Sequence, residues 1–126
     1  MLLLAPPNNI TRHPIPEPLR RSLVVARVQV REVPWVKPAL HPSIQRTGGV
    51  IGAREFMKLH AFSLTEYAAV LYLDLDVLVT GDVSPLLDCA ANGTHVFTPG
   101  VTSMLNAGVW AVRPDLALCG PLLELP

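Results

Sequence analysis

The chain has 126 residues, 50% of them hydrophobic, and its ten basic residues balance ten acidic ones. That length has room for one domain, residues 1–126, around a small apolar core. This balance of charge points to no electrostatic partner such as nucleic acid or an anionic bilayer.

Thirteen prolines are about twice the usual frequency, and with eight of them before Ser43 the front third cannot be mostly helix or central strand. Leu2 to Ala5 reads as a short buried strand that Pro6-Pro7-Asn8-Asn9 breaks into a turn. This apolar start lacks a charged leader and is too short for a signal or a membrane-spanning segment. Pro14, Pro16 and Pro18 confine a first helix to Leu19–Val25. A strand over Arg27–Val33 follows, with Gln29 and Arg31 facing away from Val28 and Val30. From Pro34 to Gly52 the Pro- and Gly-rich stretch predicts a long loop, and loops of that length often carry function.

A helix over Ala53–Tyr67 is predicted next, with Phe56, Leu59 or His60, Ser63-Leu64 and Tyr67 forming one apolar stripe. It leads into Val70–Val79, a β-branched and aromatic run that reads as a buried strand interrupted by Asp74 and Asp76. Acids at the carboxyl end of such a strand fall where open α/β sheets bind ligands. Their oxygens are hard donors suited to magnesium or manganese, ions that take one or two carboxylates and leave the remaining positions to substrate phosphates. The plain alternative is a pair of acids facing water.

Gly81-Asp82 turns the chain, and Ser84 before Pro85 predicts an N-capped helix to Ala90. Asn92-Gly93 makes a turn, Thr94–Thr98 a strand, Pro99-Gly100 another turn and Gly108–Val112 a strand, after which Asp115 caps a last helix that Gly120-Pro121 soon disturbs. Cys89 and Cys119 lack metal-ligand spacing and read as small core thiols.

Three segments carry a resemblance. Lys58-Leu59-His60-Ala61-Phe62-Ser63-Leu64-Thr65-Glu66-Tyr67 resembles the K-L-x-x-[WF]-x-L-T-x-Y helix of glycosyltransferase family 8, the glycogenin-like and galactinol-synthase-like enzymes. Val70–Val79 resembles that family's V-x-Y-L-D-A-D-x-L-V strand, and Leu105-Asn106-Ala107-Gly108-Val109 with Arg113-Pro114 resembles its F-N-[SA]-G-V-x-x-x-x-P segment. The match is densest from Arg54 to Asp115.

The resemblance implies a three-layer α/β fold of the GT-A nucleotide-diphospho-sugar transferase type, incomplete at both ends. It also implies a retaining, metal-dependent transfer of a hexosyl group from a UDP-sugar to an acceptor that the motifs do not identify. Asp74 and Asp76 would hold Mn2+ or Mg2+, with Asp74 also reaching the donor ribose. Lys58 would lie near the donor phosphates as a catalytic cation, where the plain reading is a solvated lysine on the polar face of the helix. Asn106, Ala107 and Gly108 would face the donor sugar. Thr65, Glu66 and Tyr67 would end the helix and pack it under the strand, with His60 half-buried.

Family domains open with a strand and helix around the uracil and ribose, and they continue to an Asp-Gln pair and a metal-binding His. None of these is assignable in this sequence, so the alternative is an inactive remnant acting at most as a binding module. A D-x-D phosphohydrolase fits worse, because Val77-Leu78-Val79 offers no hydroxyl after the acids. The sequons at Asn9 and Asn92 are expected to be unmodified, and the compartment of a full-length protein stays open between cytoplasm and Golgi.

Overall fold

The computed structural model describes residues 1–7, 14–36, 53–100 and 106–118, with 53–55 and 106–107 described by backbone alone. The predicted Pro34–Gly52 loop beyond Val36, the sequon at Asn9, Cys119 and Gly120-Pro121 lie outside the described residues. The architecture is a small mixed α/β arrangement that divides into two compact units, one reaching to His60 and the other spanning Ala61–Leu122.

The first unit is a β-α-β crossover. Strand β1 (Leu2–Ala5) pairs in parallel with β2 (Gln29–Glu32), Leu2 opposite Gln29 and Ala5 opposite Glu32. Between them helix α1 runs Glu17–Val25. It begins two residues earlier than predicted because Pro18 sits in the first turn, where its missing N–H has no helical partner to lose. Strand β2 is shorter than the predicted Arg27–Val33 because Arg27 and Val28 are used to end the helix. The N–H of Arg27 donates to the Val24 carbonyl (2.9 Å) and that of Val28 to the Leu23 carbonyl (2.8 Å), the two bonds of a Schellman cap. Ala5, Val28, Val33 and Val36 are buried, whereas β1 is otherwise only half-buried and α1 buries no residue.

The second unit is a three-stranded sheet in the order β3 (Val70–Leu73), β5 (Asn106–Val112), β4 (Val96–Thr98). The central strand is antiparallel to both neighbours, with Tyr72 and Phe97 both opposite Trp110. This row holds the core together. Trp110 meets Phe62 at a centroid separation of 5.4 Å, Tyr72 at 5.7 Å and Phe97 at 5.6 Å, the first two edge to face. Ala61, Leu64, Ala90, Ala111 and Val112 complete the buried set.

Helix α2 (Ser84–Ala91) packs on all three strands and ends in a second Schellman cap, Gly93 to Ala90 and Thr94 to Cys89. That cap uses Thr94 and shortens β4 from its predicted start. Asp82, rather than Ser84, supplies the capping acceptor, its Oδ1 receiving the Ser84 N–H at 2.9 Å. Cys89 is exposed and not a core thiol, because it lies on the outer side of α2 while Ala90 turns inward. Asp115 does cap the turn that follows β5, with Oδ1 accepting from the Ala117 N–H at 2.8 Å.

The element before β3 departs most from expectation. Ala53–Ser63 is a 3-10 helix that stops four residues short of Tyr67. In a 3-10 helix side chains three apart eclipse. Here Lys58, His60, Ala61, Phe62 and Leu64 are all buried, more than one such row, and Tyr67, predicted to close an α-helical stripe and pack under the strand, is exposed.

Candidate functional site

The predicted ten-residue strand Val70–Val79 ends at Leu73, and this decides where the acids lie. Asp74 continues the ladder by one bond, its N–H donating to the Gly108 carbonyl at 2.8 Å. The chain then turns over, the N–H of Val77 donating to the Asp74 carbonyl at 3.1 Å. Asp74 therefore opens a tight turn at the carboxyl end of a strand and Asp76 lies within that turn, instead of both standing inside a buried strand. Asp74 is half-buried, Asp76 is exposed, and Leu75 and Leu78 are 92% and 82% exposed.

The same bond brings two of the sequence motifs together. Gly108 belongs to the Asn106-Ala107-Gly108 segment, and its carbonyl meets the first acid of the other motif. On its other edge β5 is irregular at this point, the pairing jumping from Phe97 opposite Trp110 to Thr98 opposite Asn106. The Thr98 hydroxyl spans the break by donating to the Val109 carbonyl at 3.2 Å. Such irregularities re-aim a strand and recur beside active sites. Asn106 and Ala107 are placed by their backbone at the start of β5.

Tyr72 was not singled out by the sequence reading. Its O–H donates to Asp74 Oδ1 at 2.7 Å, a well-formed O–H···O bond. The signal was present in the period of a strand, since residues two apart share a face.

Lys58 belongs to the first unit and is 8% exposed, which removes the reading of a solvated lysine on a polar helix face. His60 is buried rather than half-buried, and its Nε2 lies 2.9 Å from the Pro34 carbonyl, so it is held by the backbone.

Among the described residues no three His, Cys, Asp or Glu side chains converge. Two carboxylates at a strand-end turn, one exposed and one anchored by a phenol, do suit a hard divalent ion that keeps water or phosphate in its remaining positions. A cavity of about 560 Å³ in the same unit, lined by Thr65, Gly93, His95, Arg113, Asp115 and Leu116, lies at the opposite end of β5 and is lined by neither Asp74 nor Asp76.

No protein-family model matches the sequence. The chain is 34% identical over 72 residues to inositol phosphorylceramide glucuronosyltransferase 1 of Arabidopsis thaliana, covering 55% of this chain and 12% of that protein. It is 32% identical over 68 residues to human glycogenin-1 and 31% identical over 68 residues to the mouse protein, in each case over 54% of this chain and 19% or 20% of the relative. The chain thus spans a fifth or less of the length of the curated relatives it matches. Over about half of its length it is related to glycosyltransferases. Among the described residues no helix is long and apolar enough to cross a membrane.

Proposed function

We propose that this chain is part of the donor-binding region of a family 8 glycosyltransferase with the GT-A fold, in which Asp74 and Asp76 hold Mn2+ or Mg2+ against the diphosphate of a UDP-sugar. The observation that carries this reading is the 2.8 Å bond from the Asp74 N–H to the Gly108 carbonyl, which joins the acidic turn to the Asn106-Ala107-Gly108 segment. The glycosyltransferase names of the relatives support it.

When bound, the ion supplies a Lewis acid for the departing diphosphate. The residues of the chain do the rest. The turn fixes the two carboxylates past the strand end, where a diphosphate can reach them from solvent. Asn106 offers a side-chain amide that both donates and accepts, which suits sugar hydroxyls. By the family resemblance alone, Lys58 is assigned the role of a compact positive charge offsetting the negative charge that grows on the leaving phosphate. Retention of anomeric configuration and the choice of hexose rest on the family resemblance, and the acceptor is set by parts of the site that these motifs do not include.

The test is calorimetry of UDP binding with Mn2+ and with a chelator. Tight binding is expected only with the metal, and Asp76→Ala is expected to remove that dependence. Equal UDP affinity in both conditions would leave the inactive binding module as the better reading, since the metal is the bridge between the carboxylates and the diphosphate.

A further inference from the structure

We propose that Tyr72 is the positioning residue of the metal site, holding the Asp74 carboxylate in its ligating orientation; this rests on the reading that Asp74 and Asp76 bind a divalent cation. An aspartate just past a strand end has rotamer freedom that must be given up when it ligates. Here the loss has already been taken in the fold. The Tyr72 O–H donates to Asp74 Oδ1 at 2.7 Å, and the two side chains share a face because they stand two residues apart.

The phenol is itself fixed. Its ring lies edge to face against Trp110, centroids 5.7 Å apart and planes at 84°. Trp110 is buried on the central strand and pinned in turn by Phe62 and Phe97. A rigid aromatic row thus ends in a hydroxyl aimed at the first acid of the motif. A carboxylate has about four lone-pair sites on its two oxygens, so accepting one O–H is compatible with ligating an ion.

Outer partners of this kind typically contribute 10–100-fold to metal affinity, and for a single neutral donor about tenfold is expected. Tyr72→Phe removes the hydroxyl and keeps the ring against Trp110. The probe is Mn2+ alone, its free concentration followed by electron paramagnetic resonance during titration of the 126-residue chain. Expected is saturable binding by the unsubstituted chain and about tenfold weaker binding by Tyr72→Phe, with little change in thermal midpoint.

Equal affinity in the two would overturn the positioning role while leaving the metal site intact. No binding by the unsubstituted chain would overturn the metal reading and this inference with it. A second measurement does not depend on that variant: in Tyr67→Phe the only tyrosine left is Tyr72, and Mn2+ is expected to shift its ultraviolet absorption band as the ion draws on the carboxylate it bonds. An unchanged band at saturating Mn2+ would overturn the proposal.

Discussion

Two residues that end helices by the same geometry differ in their side chains. Arg27 and Gly93 each take the left-handed position of a Schellman cap, with φ of 56° and 89°. Only the second is a glycine. A left-handed L-residue costs roughly 1–2 kcal/mol, of which glycine's extra chain entropy returns roughly 0.5–1 kcal/mol. Arg27→Gly is therefore expected to stabilise the chain by about 0.5–1 kcal/mol, and Gly93→Ala to destabilise it by about 1 kcal/mol. At Gly93 an added Cβ would meet nothing within 4 Å, so that loss comes from backbone conformation and not from a clash. Chemical denaturation of the two variants beside the unsubstituted chain measures both signs.

Asp82 gives the chain an acid-side dependence of known direction. Hydrogen bonds from the backbone and then the side chain of Ser84 hold its carboxyl below the ordinary value of 3.8. A carboxyl lowered on folding contributes stability that is complete above its unfolded value and is lost as pH falls through its folded one. An NMR titration should therefore place the Asp82 midpoint below that of a free aspartate. Asp82→Asn, which keeps an acceptor for the Ser84 N–H, should flatten the slope of stability in that acidic window.

Among the elements, two were misjudged for physical reasons. The stretch Ala53–Tyr67 reads at the α-helical period, but it winds as a 3-10 helix that ends at Ser63, so His60 and Leu64 of the expected stripe are buried while Tyr67 is exposed. Val70–Val79 reads as one strand because apolar residues resume after each of its two acids, but Leu75, Leu78 and Val79 are exposed once the chain turns at Asp74. Propensity registers apolar character without knowing whether a partner strand continues. The aromatic row is the element-scale contribution to stability. Trp110→Ala is expected to cost about 3–5 kcal/mol, enough to unfold the second unit. Trp110→Phe should cost far less, because the buried Trp110 Nε1 has no hydrogen-bond acceptor among the described residues and removing such a donor recovers roughly 1–3 kcal/mol. Urea melts of the two variants distinguish the ring from its N–H.

At the scale of the whole molecule the sheets are small, and the outer edges of β3 and β4 are unpaired among the described residues. Unpaired edges beside exposed leucines favour association between copies. The chain is expected to sediment in a concentration-dependent way, and Leu78→Lys to shift it toward the monomer without touching either aspartate. Sedimentation at several concentrations, with and without that substitution, measures it.

The sequence alone determined the order of the strands and helices, the turn at Gly93, the cap at Asp115, the apolar run that carries the acidic pair and the glycosyltransferase-like motifs, because each depends on residues near one another in the chain. Only the tertiary structure decided that β3 stops at Leu73, that Gly108 meets Asp74, that Lys58 is buried and that Tyr72 grips the first acid. Those outcomes depend on strand register and helix winding. Both are fixed by packing between distant segments, and a one-residue change in either turns a different set of side chains toward the site.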